Sequence, residues 1–286
     1  MTETTDARVA PTIADVRSRV RDARVRGARV ALVPTMGALH DGHLALVRRA
    51  RELADFVVVS IFVNPLQFGP SEDFERYPRR LETDLESLGA LADVVFVPSV
   101  DEMYPNGPTQ TRITGGEAAT VLEGASRPGH FDGMLTVVAK LLNIVQPDAV
   151  MFGQKDAQQV FLVRQLVADL NLPVSVESVP TVREPDGLAL SSRNQYLDDE
   201  ARTAAVTLSA VLKDASAAAP RGVAAAQAAG IARVRASGAV KLDYLAIVDP
   251  GTFRPVDGAY RGEATVLIAA RVGGTRLIDN ASIVVG

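Results

Sequence analysis

No cysteine occurs in the 286 residues of this chain. Its absence excludes a disulfide framework, a thiolate zinc site and a cysteine nucleophile, and it fits a cytoplasmic location. There is no basic excess: 30 Lys and Arg stand against 34 Asp and Glu, a formal net charge of −4 that argues against a general nucleic-acid binder. Any phosphate must therefore be met by local basic residues. The longest apolar stretch, residues 56–63, falls far short of the about 20 residues that a bilayer-spanning helix needs, so no membrane partner is expected. The first ten residues are polar and acidic with no apolar signal-peptide core, and read as a frayed tail. No Gly-x-Gly-x-x-Gly follows the first strong strand, which speaks against a hydride-transferring dinucleotide enzyme. Histidine is scarce, with His40, His43 and His130 the only three. What remains is a chain 47% hydrophobic and 22% charged, long enough to bury a sizeable core in one large or two smaller domains.

Two of the histidines stand in the most informative stretch, Val30-Ala31-Leu32-Val33-Pro34-Thr35-Met36-Gly37-Ala38-Leu39-His40-Asp41-Gly42-His43. A short apolar run reads as a buried strand and breaks at Pro34 and Gly37. Leu44, Val47, Ala50 and Ala54 then follow at helical spacing, so the histidines sit where a helix begins. Free backbone N–H groups and the positive end of the helix dipole gather there, which suits a bound phosphate. Two imidazoles add donors to the same anion, and Gly42 lets a nucleotide come close to the backbone.

Along the chain, helices are expected at 12–26 with Thr12 as N-cap, 42–54, 79–90, 133–145 and 157–170. Strands are expected at 29–33, 56–63, 94–97, 149–152 and 174–179. Strands and helices alternate and the strands are continuously apolar, the pattern of a parallel sheet covered on both faces. With right-handed crossovers this gives an α/β, Rossmann-like doubly wound sheet, whose ligands sit beyond the carboxyl ends of the strands. The texture changes near 182. A helix at 198–219, an Ala-rich helix at 223–236 and strands at 242–248, 265–272 and 276–279, the last two a hairpin, describe a smaller α+β domain. The expected division is 1–182, binding nucleotide and carboxylate substrate, and 183–286, a small C-terminal lid.

Further polar groups fall at strand ends. Asn64 and Gln67 follow the second strong strand and suit a hydroxyl or carboxylate, though taken alone they read first as an ordinary Asx/Pro turn. Gly153-Gln154-Lys155-Asp156 stands at a strand-to-helix junction, where Lys155 can reach a phosphate as a flexible point charge. Asp156 can accept ribose hydroxyls or cap the helix, and Gln159 points back toward the loop one turn later. Leu190-Ser191-Ser192-Arg193 sets two hydroxyls beside a guanidinium, a combination suited to polyphosphate. His130 precedes the central helix and can orient substrate. Val137 and Val138 on that helix read first as core. Glu82, Asp84 and Glu86 read as a solvated helix face.

The form Pro-Thr-Met-Gly-Ala-Leu-His-x-Gly-His resembles the pantothenate synthetase (pantoate–β-alanine ligase) family of the His-x-Gly-His nucleotidyl-transfer superfamily, and the other motifs follow in that family's order. The resemblance implies ATP-dependent condensation of (R)-pantoate with β-alanine through a pantoyl adenylate. It implies His40, His43 and Lys155 as catalytic residues. It places ATP against Pro34, Thr35, Met36, Gly42, Gly153, Asp156, Val182, Leu190, Ser191, Ser192 and Arg193 as well. Pantoate and β-alanine would meet Met36, Asn64, Gln67, His130, Val137, Val138 and Gln159. Mg2+ is expected mainly on the ATP phosphates, and a homodimer is implied. The family's usual form has Glu at Gln154, an aromatic residue at Ala157 and often Met at Leu190, and it has an acidic residue near Asp84. Two alternatives stay open: another His-x-Gly-His nucleotidyltransferase, or a non-catalytic nucleotide-binding regulator.

Overall fold

A computed structural model describes residues 6–69, 74–107 and 109–286. The apolar runs form the sheet that their patterning indicates. Strands β1 (Val9–Ala10), β2 (Val30–Thr35), β3 (Phe56–Ile61), β4 (Val94–Phe96), β5 (Ala149–Gly153) and β6 (Ser175–Val179) alternate with helices α1 (Ile13–Val25), α2 (Asp41–Leu53), α3 (Leu81–Leu88), α4 (Val100–Met103), α5 (Glu123–Ser126), α6 (His130–Val145) and α7 (Ala157–Asp169). The strand order is β1-β4-β3-β2-β5-β6, and every pairing is parallel. Thr12 caps α1 as expected, its side chain accepting from the Asp15 N–H at 3.1 Å.

Val30 to Val33 of β2 have no exposed surface, as a strand covered on both faces requires. Ala31 and Val33 share one core with Val57 and Val59 of β3 and with Leu46, Val47 and Ala50 of α2. From β2 the chain winds out through β3 to β4, then returns to lay β5 and β6 on the other side of β2. The winding reverses between β2 and β5, and in open α/β sheets such a reversal is where ligands bind, beyond the carboxyl ends of the strands.

The structure departs from the frayed tail expected over the first ten residues. Residues 1–5 lie outside the described residues, but Val9 and Ala10 pair in parallel with Val95 and Phe96. Asp6 anchors this edge by accepting from the Arg8 Nε at 3.0 Å, and that guanidinium holds the Asp6 carboxyl down at about 2.

Chain contacts divide the molecule into two units, residues 1–153 with 162–179 and residues 154–161 with 180–286. The expected division at 182/183 leaves 154–161 in the first domain. The structure groups this segment with the second unit instead, because its backbone is tied to the C-terminal strand and Phe161 lies 5.2 Å from Phe253, ring centre to ring centre. The second unit has α8 (Asp199–Ala205), α9 (Thr207–Ala218) and α10 (Val223–Ser237) against an antiparallel sheet of β7 (Val240–Val248), β8 (Gly262–Val272) and β9 (Thr275–Val285). Where one helix is expected over 198–219 there are two. The carbonyl of Val206 at the break is shared by Ser209 Oγ at 2.9 Å and the Ala210 N–H at 3.2 Å. The expected hairpin is present, and β9 runs well past it because Leu277, Ile283 and Val285 join the core of α9 and β8.

One approach in the first unit is unusually close. Helix α6 lies on the short turn Pro65–Gln67, and Gly133 makes this possible: a Cβ there would stand 2.1 Å from the Leu66 carbonyl oxygen and 2.7 Å from the Gln67 nitrogen. Both are backbone atoms that cannot rotate away. Gly133→Ala should therefore lose about 1–3 kcal/mol as an overpacked site, read from the denaturant midpoint. An unchanged midpoint would mean that α6 and the turn separate freely.

Candidate active site

The site is built on how β2 ends. Thr35 Oγ1 donates to the Ser60 carbonyl at 2.7 Å and accepts from the Gly37 N–H at 3.2 Å, bending the chain out of the sheet. Gly37 has φ +82° and Ala38 φ +51°, a left-handed pair in which the alanine is strained. Asp84 holds the bend in place. Its carboxylate accepts from the Ala38 N–H at 3.0 Å and the Leu39 N–H at 2.8 Å, and it presses so close that a Cβ on Gly37 would lie 3.0 Å from Oδ2. Asp84 is 2% exposed. The solvated-face reading holds for Glu82 and Glu86 and fails for Asp84. The missed signal was spacing: Leu88, one turn on, is fully buried, so Asp84 stands on the helix face that points inward.

The two histidines then close the start of α2. His40 is the N-cap; its Nδ1 accepts from the Gly42 N–H at 3.1 Å, and His43 Nδ1 accepts from the His40 N–H at 3.4 Å. This is a reciprocal capping box made of imidazoles. The ring centroids are 4.1 Å apart. A ring nitrogen that accepts from a backbone N–H carries no proton, so each ring keeps its proton on Nε2. The cap thus fixes both side chains as Nε2–H donors at a helix start, where anions are favoured.

Beyond β3, Asn64 is 1% exposed and fully engaged. Its Nδ2 donates to Gln67 Oε1 at 3.0 Å and to the Gly133 carbonyl at 3.1 Å, while its Oδ1 accepts from Tyr104 Oη at 2.7 Å and the Leu66 N–H at 3.3 Å. These partners fill the two donor and two acceptor positions of a carboxamide. In this arrangement Asn64 braces the turn that carries Gln67. Burial pushes the Tyr104 phenol above its ordinary range, so it remains a donor. With Oε1 committed to Asn64, Gln67 turns its Nε2 to the Met36 sulfur at 3.3 Å, a weak acceptor that a substrate oxygen would outcompete. His130 supports the same turn from the other side. Its Nε2 faces the Arg127 guanidinium at 3.0 Å and its Nδ1 the Gln67 carbonyl at 2.9 Å. Arg can only donate, so Nε2 accepts and Nδ1 donates. His130 orients Gln67 through the backbone. Val137 and Val138 are core residues of α6, 6% and 3% exposed, and Pro34 lies within β2.

The second unit carries the other expected residues. Gln154–Asp156 form a tight turn between Gly153, the last residue of β5, and α7; Lys155 and Gln159 are half-buried and Asp156 is exposed. The Leu190 N–H donates to the Val182 carbonyl at 3.0 Å, closing a small loop. Arg202 braces that loop against Glu184 at 2.6 Å and Asp186 at 2.8 Å. Ser191 caps the short turn Ser192–Tyr196, its Oγ accepting from the Arg193 N–H at 3.2 Å.

A doubly wound parallel sheet whose central strand ends in a histidine-capped helix start defines a class, the Rossmann-like α/β proteins that present an anion site beyond the sheet. Comparison with known proteins narrows it. The family model described as pantoate-beta-alanine ligase matches residues 8–282, and the chain belongs to that family. The pantothenate synthetase of Leifsonia xyli subsp. xyli is 64% identical over 253 residues, 88% of each chain. That of Thermobifida fusca is 50% identical over 291 residues, 98% of each. Among solved structures, pantothenate synthetase from Thermus thermophilus matches with a TM-score of 0.90 at 48% identity, covering 96% of this chain and 98% of that one. Pantoate-beta-alanine ligase from Francisella tularensis, complexed with beta-gamma ATP and beta-alanine, matches with a TM-score of 0.78 at 37% identity and 96% of each chain.

Burial raises the Asp84 carboxyl above its ordinary value, against the N–H groups of Leu39 and Ala38 and the charge of Arg80, which lower it. A raised native pKa means that the stabilisation tied to the protonated form is complete below about pH 4 and is lost as pH rises through the native value. Asp84→Asn does not titrate. Its stability relative to wild type should therefore rise between about pH 4 and pH 7, measured by denaturant unfolding at each. A constant offset would show that this carboxyl does not titrate in that range.

Proposed function

We propose that the chain condenses (R)-pantoate with β-alanine in an ATP-dependent reaction, forming pantothenate through a pantoyl adenylate and releasing AMP and pyrophosphate. The observation that carries this reading is the family match over residues 8–282. The complex of the Francisella relative with beta-gamma ATP and beta-alanine supports it.

A carboxylate is a poor acyl donor to an amine, so activation comes first. The pantoate carboxylate attacks the α-phosphorus of ATP and pyrophosphate leaves. This step needs in-line positioning and charge stabilisation, with no protein nucleophile. In our reading the Nε2–H groups of His40 and His43 and the charge of Lys155 meet the phosphates. Pro34, Thr35, Met36, Gly42, Gly153, Asp156, Val182 and Leu190 shape the nucleotide contacts, and Ser191, Ser192 and Arg193 add donors. Mg2+ arriving with ATP would supply charge neutralisation at the phosphates beside His40, His43 and Lys155. Gln67, with its Nε2 aimed as a donor, and Gln159 take the pantoate hydroxyl and carboxylate. Met36, Val137 and Val138 give apolar walls, and His130 acts through Gln67. In the second step the neutral amine of β-alanine attacks the acyl carbon, AMP leaves, and the amine's proton passes to solvent or a base. We take the enzyme to be a cytoplasmic homodimer. Among the described residues no helix is long and apolar enough to cross a membrane.

The decisive experiment omits β-alanine. With pantoate and Mg2+ present, labelled pyrophosphate should exchange into ATP; without pantoate the exchange should vanish. Addition of β-alanine should then yield AMP and pantothenate. Exchange indifferent to pantoate favours a general nucleotidyltransferase, and ATP binding with neither exchange nor AMP favours the regulator.

The pantoate clamp is separately testable. Gln67→Ala should raise the KM for pantoate about 10-fold or more, the effect of leaving a buried polar partner unpaired, while that for ATP stays within about 3-fold. Equal changes for both substrates would move Gln67 out of the pantoate site.

A further inference from the structure

The turn that carries Lys155 is also held from outside. Gln154–Asp156 is one tight turn, and two of its carbonyls point at a single side chain. Asn280 Nδ2 donates to the Lys155 carbonyl at 2.7 Å and to the Gln154 carbonyl at 3.0 Å. Both hydrogens of the carboxamide engage consecutive peptide groups, which fixes position and orientation of that backbone together. Asn280 is 4% exposed in β9, and it is anchored in turn. Its own N–H donates to Asp279 Oδ1 at 2.8 Å. Asp279, 3% exposed, receives both terminal nitrogens of Arg183 at 2.6 and 2.9 Å. The fork of two N–H···O bonds leaves the carboxylate no rotational freedom.

We propose that Asn280 is a positioning residue: it sets the backbone of Lys155, and so the direction from which the ammonium group reaches phosphate. The proposal rests on the role given to Lys155 in the proposed function. A lysine has four rotatable carbons, and its Cα position is the part of its geometry that the protein can fix. A backbone free to shift by about 1 Å costs a catalytic group about 10²-fold in rate.

The first variant is Asn280→Asp, which keeps the shape and removes both donors; Asn280→Ala is the second, should the carboxylate prevent folding. Either should lower kcat for pantothenate formation by about 10- to 10²-fold while the KM for pantoate moves less than about 3-fold. Lys155→Ala should lose about 10²-fold alone, as for a lost transition-state donor. Asn280→Asp added to it should then lose little more, because a residue acting only through Lys155 has nothing further to misplace. Multiplying losses, or a loss confined to KM, would overturn the proposal. Hydrogen exchange supplies a readout independent of the reaction. Amides at 154–157 should exchange faster in Asn280→Asp while those of β8 keep their protection, and unchanged exchange at 154–157 would equally overturn it. Wild-type protein that makes no pantothenate would sink the function reading alone, and the exchange measurement would still judge the anchor.

Discussion

Parallel pairing of β2 with both β3 and β5 is the constraint from which the first unit follows. A strand with parallel neighbours on both sides can be reached only by crossovers, and each crossover needs a helix to cover a face. Because the chain leaves β2 toward β3 and comes back to β5, the winding reverses beside β2, and the loop after it cannot be covered by the next crossover. What the sequence adds is the bend after Thr35, the carboxylate of Asp84 that holds it, and the imidazoles that begin the next helix.

The histidines show how structural and chemical requirements coincide. A helix start needs acceptors for its first N–H groups, and serine or aspartate is the usual provider. Here imidazole Nδ1 atoms accept instead, and by accepting they force the proton to Nε2. A serine cap would satisfy the helix and leave no directed donor. A similar coincidence holds at Gln67, whose Oε1 accepts from Asn64 and whose orientation is thereby set with Nε2 facing Met36 as a donor.

Much of this was legible in the sequence because it is local. The apolar runs at 30–33, 56–61 and 149–152, the cap at Thr12 and the histidine turn each depend on residues within a few positions. The parts that were not legible depend on distant partners. Val9 and Ala10 become a strand only because β4 offers an edge 86 residues later. Asp84 shares the inward helix face of Leu88, but the N–H groups of residues 38 and 39 that satisfy its buried carboxylate lie 46 and 45 residues away in the chain. Asn64 reads from the sequence as a polar group at a strand end, while its partners Tyr104 and Gly133 are remote in the chain. The segment 154–161 follows β5 in the chain and yet belongs with the second unit, through Asn280 and Phe253.

Order of synthesis gives the Asn280 contact another meaning. The carbonyls of Gln154 and Lys155 find their partner 126 and 125 residues downstream. At ribosomal speeds of about 5–20 residues per second, that interval is roughly 6–25 s. The parallel sheet has all its strands by Val179, so a nascent chain can set its histidines early. Its lysine turn stays untied until β9 has been made. A chain that ends before β9 therefore has its histidine turn complete while its lysine turn still lacks the side chain that ties it.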